Sequence, residues 1–193
     1  MTNTRTVFAV AAALLLGGCG YQSIPRAENA VTAAWAEVEN QYQRRSDLVP
    51  NLVETVKGYA AHERETLESV MEARAKATSV QISATELTPE KLKAFDAAQG
   101  QLRGALGRLL AVAENYPQLK ANENFRDLQA QLEGTENRIA IARRRYIEGV
   151  QAFNDLVTVP PTSWTNSMFY KKPPKAQFAA TTPDAATAPK VKF

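Results

Sequence analysis

The chain has 193 residues, a formal net charge of +3, a single cysteine and a single histidine. One cysteine excludes an internal disulfide, and with one histidine it falls short of the roughly four ligands a structural zinc site needs. The positive charge is not a basic face: residues 158–193 carry net +4 and residues 19–157 net −2, so the pattern of a nucleic-acid-binding surface is absent and no nucleic acid is expected as a partner.

Arg5 precedes an apolar run from Val7 to Leu16, which gives way to Gly17, Gly18, Cys19 and Gly20. A basic start, a short apolar stretch and small residues make an export signal. The stretch is too short for a mature spanning helix, which takes about 20 apolar residues. Leu16-Gly17-Gly18-Cys19 resembles the lipobox of bacterial lipoproteins. That resemblance implies that 1–18 is a signal peptide, with its lipobox at 16–19, and that lipid is attached to the Cys19 sulfur. The alternative is an uncleaved helix from Thr6 to Gly20. Gly20, where Asp would favour inner-membrane retention, points to the periplasmic face of the outer membrane in a cell with two membranes.

Residues 25–157 read as helix almost throughout. Val31, Trp35, Val38, Tyr42, Val49, Leu52, Val53, Val56, Leu67, Val70 and Met71 recur in steps of mostly three and four. Pro50 interrupts this stretch. A proline inside a helix costs about 3 kcal/mol, but in a first turn it costs little. The spacing therefore predicts a break there, with Asp47 as the cap of a new helix, in preference to one long kinked helix. Residues 78–88, rich in hydroxyl and β-branched side chains, read as a loop. Thr88-Pro89 starts the next helix, whose Gly100, Gly104 and Gly107 are expected at a close helix contact. It ends at Asn115-Tyr116-Pro117. A last helix from Pro117 or Asn122 to Val157 is stopped by Pro160-Pro161. The all-α body is thus four helices of comparable length. Residues 158–193 read as a Pro/Lys-rich, largely extended tail holding Trp164, Met168, Phe169 and Tyr170.

Chemistry is sparsely signalled. His62, with Glu63 and Glu65 nearby, is read as a surface residue. Arg44, Arg45, Asp47, Asn51 and Glu54 surround the predicted break. They form a polar recognition surface or satisfy backbone groups at two helix ends. Glu136, Asn137 and Arg138 are read as a partner polar layer, and Arg143-Arg144-Arg145 as a solvated face. No Ser-His-Asp set, phosphate loop or dinucleotide fingerprint is present.

The run from Gln43 through Pro50 to Ala60 resembles the signature of the LemA family. The match extends through Ala33-Ala34-Trp35, His62-Glu63, Glu72-Ala73-Arg74, Glu114 to Asn122, and Glu136 to Ala140. Family members often begin with a membrane-spanning segment, where this chain has a lipoprotein-type start. The resemblance implies a bacterial envelope protein, an antiparallel four-helix bundle and no defined reaction. A tethered bundle lacking a catalytic constellation is expected to be a non-enzymatic interaction module or adaptor, without cofactor or metal. Its expected partners are membrane lipid, through Cys19, and an envelope protein. Arg44, Arg45, Asp47, Asn51 and Glu54, together with Trp164, Phe169 and Tyr170, form the expected contact surface. The alternatives are a hydrolase acting through bundle carboxylates and a membrane-remodelling or transport accessory.

Overall fold

The computed structural model describes residues 21–178, and these are all-helical with no strand among them. The signal segment, the lipobox, Cys19 and the last part of the tail lie outside the described residues. Helix α1 spans Ser23–Lys57, α2 Arg64–Ser79, α3 Pro89–Ala113, α4 Pro117–Ala121, α5 Glu123–Thr158 and α6 Thr162–Thr165. A π-helical turn, Asn166–Tyr170, follows. Two of the sequence-level start signals are realised: Thr88 Oγ1 accepts from the Lys91 amide and Asn122 Oδ1 from the Phe125 amide.

The predicted break at Pro50 is a correction, because Pro50 lies inside the continuous helix α1. Its ring nitrogen cannot donate to the carbonyl one turn earlier, that of Ser46. Arg74 on α2 supplies the missing donor, its Nε lying 2.9 Å from Ser46 O. A tertiary contact thus replaces the lost helix bond, and the proline costs less than it would in an isolated helix. Asp47 is not a cap; it accepts from Gln43 Nε2 on the exposed side of the same helix. The chain leaves α1 later, where the Gly58 and Tyr59 amides bond back to Glu54 and Val56.

At about 1.5 Å per residue, α1 and α5 are each about 50 Å long. They run antiparallel, since Trp35 meets Tyr146 and, ten residues along α1, Arg45 meets Glu136. The shorter α2 and α3 cover only part of this pair. Below Arg45, α2, α3 and α4 close an aliphatic core of Val49, Leu52, Val56, Val70, Leu102, Leu109 and Leu119. Above it, α3 contributes Leu92 and Phe95, and the remaining cover is non-helical: Ile82 from the 80–88 loop and Phe178 from the segment after the π-turn. Length is matched by loops rather than by breaking α1.

Two further expectations are revised. A Cβ at Gly100 or Gly107 would meet nothing within 4 Å, so these glycines are not close-contact sites. The tail is extended only in part: 162–170 is helical, and Phe178 is buried.

Candidate functional site

A polar layer divides the two cores. Arg45 falls in the apolar stripe of α1, in the 4-3-4-3 series Val38, Tyr42, Arg45, Val49, Leu52, so helix geometry carries its side chain inward. It is 2% exposed, which corrects its expected place on a recognition surface. Its guanidinium donates to Glu136 Oε1 at 2.8 Å, Gln99 Oε1 at 2.5 Å and Gln99 O at 3.1 Å, and lies 4.9 Å from the Tyr42 ring centroid. Gln99 is buried too, and its Nε2 donates to Ala77 O at 3.3 Å. One side chain therefore ties α1 to α3 and α5, and through Gln99 to the end of α2. A buried charge is tolerated only when paired and hydrogen-bonded, and here both terminal nitrogens are, while Nε is buried without a partner among the described residues.

A second polar contact lies two turns along α5. Arg143 donates to Asp96 and, at 3.0 Å, to the Tyr42 hydroxyl, while its guanidinium sits 4.0 Å over the Phe178 ring. Burial acts to lower the Arg143 pKa, but Asp96 and Tyr42 outweigh it, and the group is held above its ordinary value. The expected partner layer is present in Glu136, whereas Asn137 and Arg138 are exposed. Of the three successive arginines only Arg143 is drawn inward; Arg144 and Arg145 remain solvated.

Clefts open on both sides of this layer. One, of about 590 Å³, lies between α3 and α5 and is lined by Asp96, Arg103, Asn137 and Arg144. The other, of about 410 Å³, lies between α1 and residues 77–83 and is lined by Glu39, Gln43 and Ser46. Burial raises the Glu39 pKa. Glu39 is the one carboxylate lining that cleft, whereas the larger cleft is lined by two, Asp96 and Glu136, each paired with an arginine. Among the described residues no three His, Cys, Asp or Glu side chains cluster as metal ligands, and His62 is exposed in the turn after α1.

The remaining predicted surface residues separate into two regions. Arg44, Asp47, Asn51 and Glu54 are exposed on the outer side of α1, where Glu54 pairs with Lys57. Trp164 and Phe169 are exposed and Tyr170 is half-buried at the end of the molecule where α1 begins. Tyr170 donates to Tyr21 O at 2.6 Å, and Phe169 packs edge-on against the Tyr21 ring at 6.0 Å. Arg44 lies 23 residues along the chain from Tyr21, about 35 Å at helical rise. The two sets cannot form one contiguous surface.

Phe178 is the residue that sequence reasoning missed. It joins Trp35, at 6.1 Å, and Tyr146, at 5.5 Å, in the aromatic core. A lone phenylalanine in a Pro/Lys-rich stretch was the only available signal. The segment is fastened beside it. Tyr146 donates to Ala176 O at 2.8 Å, burial pushes the Tyr146 hydroxyl pKa up to about 12, and Asn154 both donates to Lys175 O and accepts from its amide. Lys172 and Lys175 meet Glu28 at 3.1 and 3.4 Å.

The model of the LemA family matches residues 34–193, a span that includes the polar layer, the π-turn and Phe178. The chain is 25% identical over 146 residues to Protein LemA of Metamycoplasma hominis, covering 76% of this chain and 62% of that protein. It is 26% identical over 179 residues to Magnetosome protein MamQ 2 of Paramagnetospirillum magneticum, covering 84% and 65%. A 69-residue stretch is 32% identical to Magnetosome protein MamQ of Magnetospirillum gryphiswaldense, covering 36% and 25%. The chain thus spans less than two thirds of the length of these relatives. With the family model covering most of its length, the chain belongs to the LemA family.

Proposed function

We propose that this protein is a lipid-tethered, non-enzymatic interaction module of the bacterial cell envelope, in which the four long helices act as one antiparallel bundle. The observation that carries this reading is the internal use of its core charges. Arg45 is spent on Glu136 and Gln99, and Arg143 on Asp96 and Tyr42, so the polar layer holds helices together and leaves no acid–base pair free. Such a layer specifies helix register, the best-attested use of a buried polar group. A rigid body of this kind is suited to recognition. The anchor is Cys19, two residues before Tyr21 in the sequence. The tethered chain then sits at the envelope membrane, on the periplasmic face of the outer membrane where there are two, and meets an envelope protein through the exposed side of α1 at Arg44, Asp47, Asn51 and Glu54.

Crosslinking in intact cells, followed by purification of the full chain, tests this. Cys19→Ala should abolish incorporation of labelled fatty acid and release the protein from membranes. Arg44→Ala combined with Glu54→Ala should deplete specific crosslinked partners while leaving helicity by circular dichroism unchanged. An unchanged partner set removes the assigned surface. Turnover of a cell-wall or lipid substrate by the purified chain overturns the non-enzymatic reading.

A further inference from the structure

We propose that the turn after α5, together with Tyr21, is a platform that lies against the headgroup layer of a bilayer containing anionic phospholipid. This inference rests on the Cys19 tether proposed above. Eight large apolar or aromatic side chains are prominently exposed among the described residues, and five of them belong to this end: Tyr21 at 58%, Val159 at 53%, Trp164 at 66%, Met168 at 72% and Phe169 at 61%. Single exposed apolar residues are ordinary, whereas a group at one site marks an interaction surface.

The exposure is built into the backbone. Asn166 is 7% exposed, and its Nδ2 donates to Val157 O at 3.3 Å and Lys172 O at 2.9 Å while its Oδ1 accepts from the Lys172 amide at 2.9 Å. Lys171, at φ 52°, closes the turn, and its amide bonds to Asn166 O at 2.6 Å. The turn is thereby fastened to the end of α5 with Met168 and Phe169 facing outward. They cannot fold back onto the core without breaking these bonds.

The identity of the covering surface follows from what arrives there. Tyr21 follows Cys19 by two residues, about 7 Å of fully extended chain. A lipid on Cys19 therefore brings this end of the fold, and not the Arg44–Glu54 region, to the membrane. Trp and Tyr carry a polar atom on an apolar ring and favour the membrane–water boundary. The local charges fit an anionic surface. Arg26 and Lys171 are exposed near this end, and Glu28 is already neutralised by Lys172 and Lys175.

Trp164 reports on this directly, because the chain's other tryptophan, Trp35, is fully buried and donates to Ile82 O at 3.0 Å. The lipidated full chain is reconstituted in vesicles of phosphatidylethanolamine and phosphatidylglycerol, and the Trp164 signal is taken as the difference between wild type and Trp164→Phe. Expected results are a blue-shifted Trp164 emission, quenching by brominated acyl chains and a severalfold loss of acrylamide quenching. Met168→Asp with Phe169→Asp should remove all three while the chain still floats with the vesicles and keeps its helicity. If flotation depends on Cys19 but Trp164 behaves as it does without vesicles, the platform is overturned and the tether stands. If Trp164 is quenched by brominated lipid in Cys19→Ala as well, the platform stands and the tether is not its cause. Flotation independent of Cys19 with a silent Trp164 overturns both. A blue shift already present without lipid means that a second copy or residues 1–20 cover the patch, which overturns the platform.

Discussion

The two halves of the molecule solve the same packing problem in different ways. Below Arg45, helices cover helices, and the core is valine, leucine and alanine with Phe125 as its single buried ring. Above Arg45, the partners of α1 and α5 are largely a loop and a C-terminal segment, and six of the fifteen buried core residues are rings: Trp35, Tyr42, Phe95, Tyr146, Phe153 and Phe178. The difference has a physical cause. A helix satisfies its own backbone groups, so aliphatic side chains suffice to pack it. A non-helical segment brings carbonyls and amides that need partners when buried. The aromatic half supplies them: Trp35 to Ile82 O, Tyr146 to Ala176 O, and Asn154 to the Lys175 backbone. Rings with polar atoms fill volume and bind backbone at once.

If this contrast is right, the largest effect comes from Trp35→Ala, which should cost about 3–5 kcal/mol. Leu102→Ala in the aliphatic half should cost about 2–5 kcal/mol. Their signatures should differ in hydrogen exchange. Trp35→Ala should unprotect amides around Ile82 and 172–178 together, and Leu102→Ala should spare them. Equal loosening by both would erase the distinction between the halves.

The boundary layer comes next. Glu136→Ala removes a charged partner of Arg45 and should cost about 1.5–3 kcal/mol, the range for a hydrogen bond to a charged group. Chemical denaturation checks the size, and retention of a single transition checks that the halves still unfold together. Within the aliphatic half, Arg74→Ala should cost about 1–3 kcal/mol by leaving Ser46 O without its donor. Pro50→Ala should recover most of that loss in the Arg74→Ala background by restoring the helix bond. Additive effects in the double-mutant cycle would show that Arg74 does not compensate for the proline.

Smaller effects sharpen the comparison. Gly100→Ala and Gly107→Ala should each stabilise α3 by about 0.5–1 kcal/mol, since both positions open to space and glycine costs helix entropy. Melting temperatures decide this. In the aromatic half, burial works to raise the Glu28 pKa, but Lys172 and Lys175 outweigh it and hold it below its ordinary 4.5. A lowered carboxylate pKa stabilises above the unfolded value and is lost as pH falls through the folded one. Proteolysis within 172–178 should therefore rise as pH drops below 4.5, and Glu28→Gln should flatten that dependence.

Much of this was legible in the chain itself. Three- and four-residue apolar steps determined the all-α class, and Thr88-Pro89 and Asn122 marked two helix starts because capping is a local transaction between neighbouring residues. The inward position of Arg45 was legible too, in the 38-42-45-49-52 series. It was obscured because a charged residue is assigned to the surface by default, and only its partners Gln99 and Glu136 make burial affordable. Pro50 could not be resolved locally. Its cost depends on whether a donor reaches Ser46 O, and that donor, Arg74, stands 28 residues away on another helix. The same holds for Phe178 and for the turn that exposes Trp164 and Phe169. Periodicity identifies residues on one face of one element, whereas the cover of the upper half, the pairing of buried charge and the outward presentation of a turn arise from contacts between distant segments, and only the tertiary structure decides them.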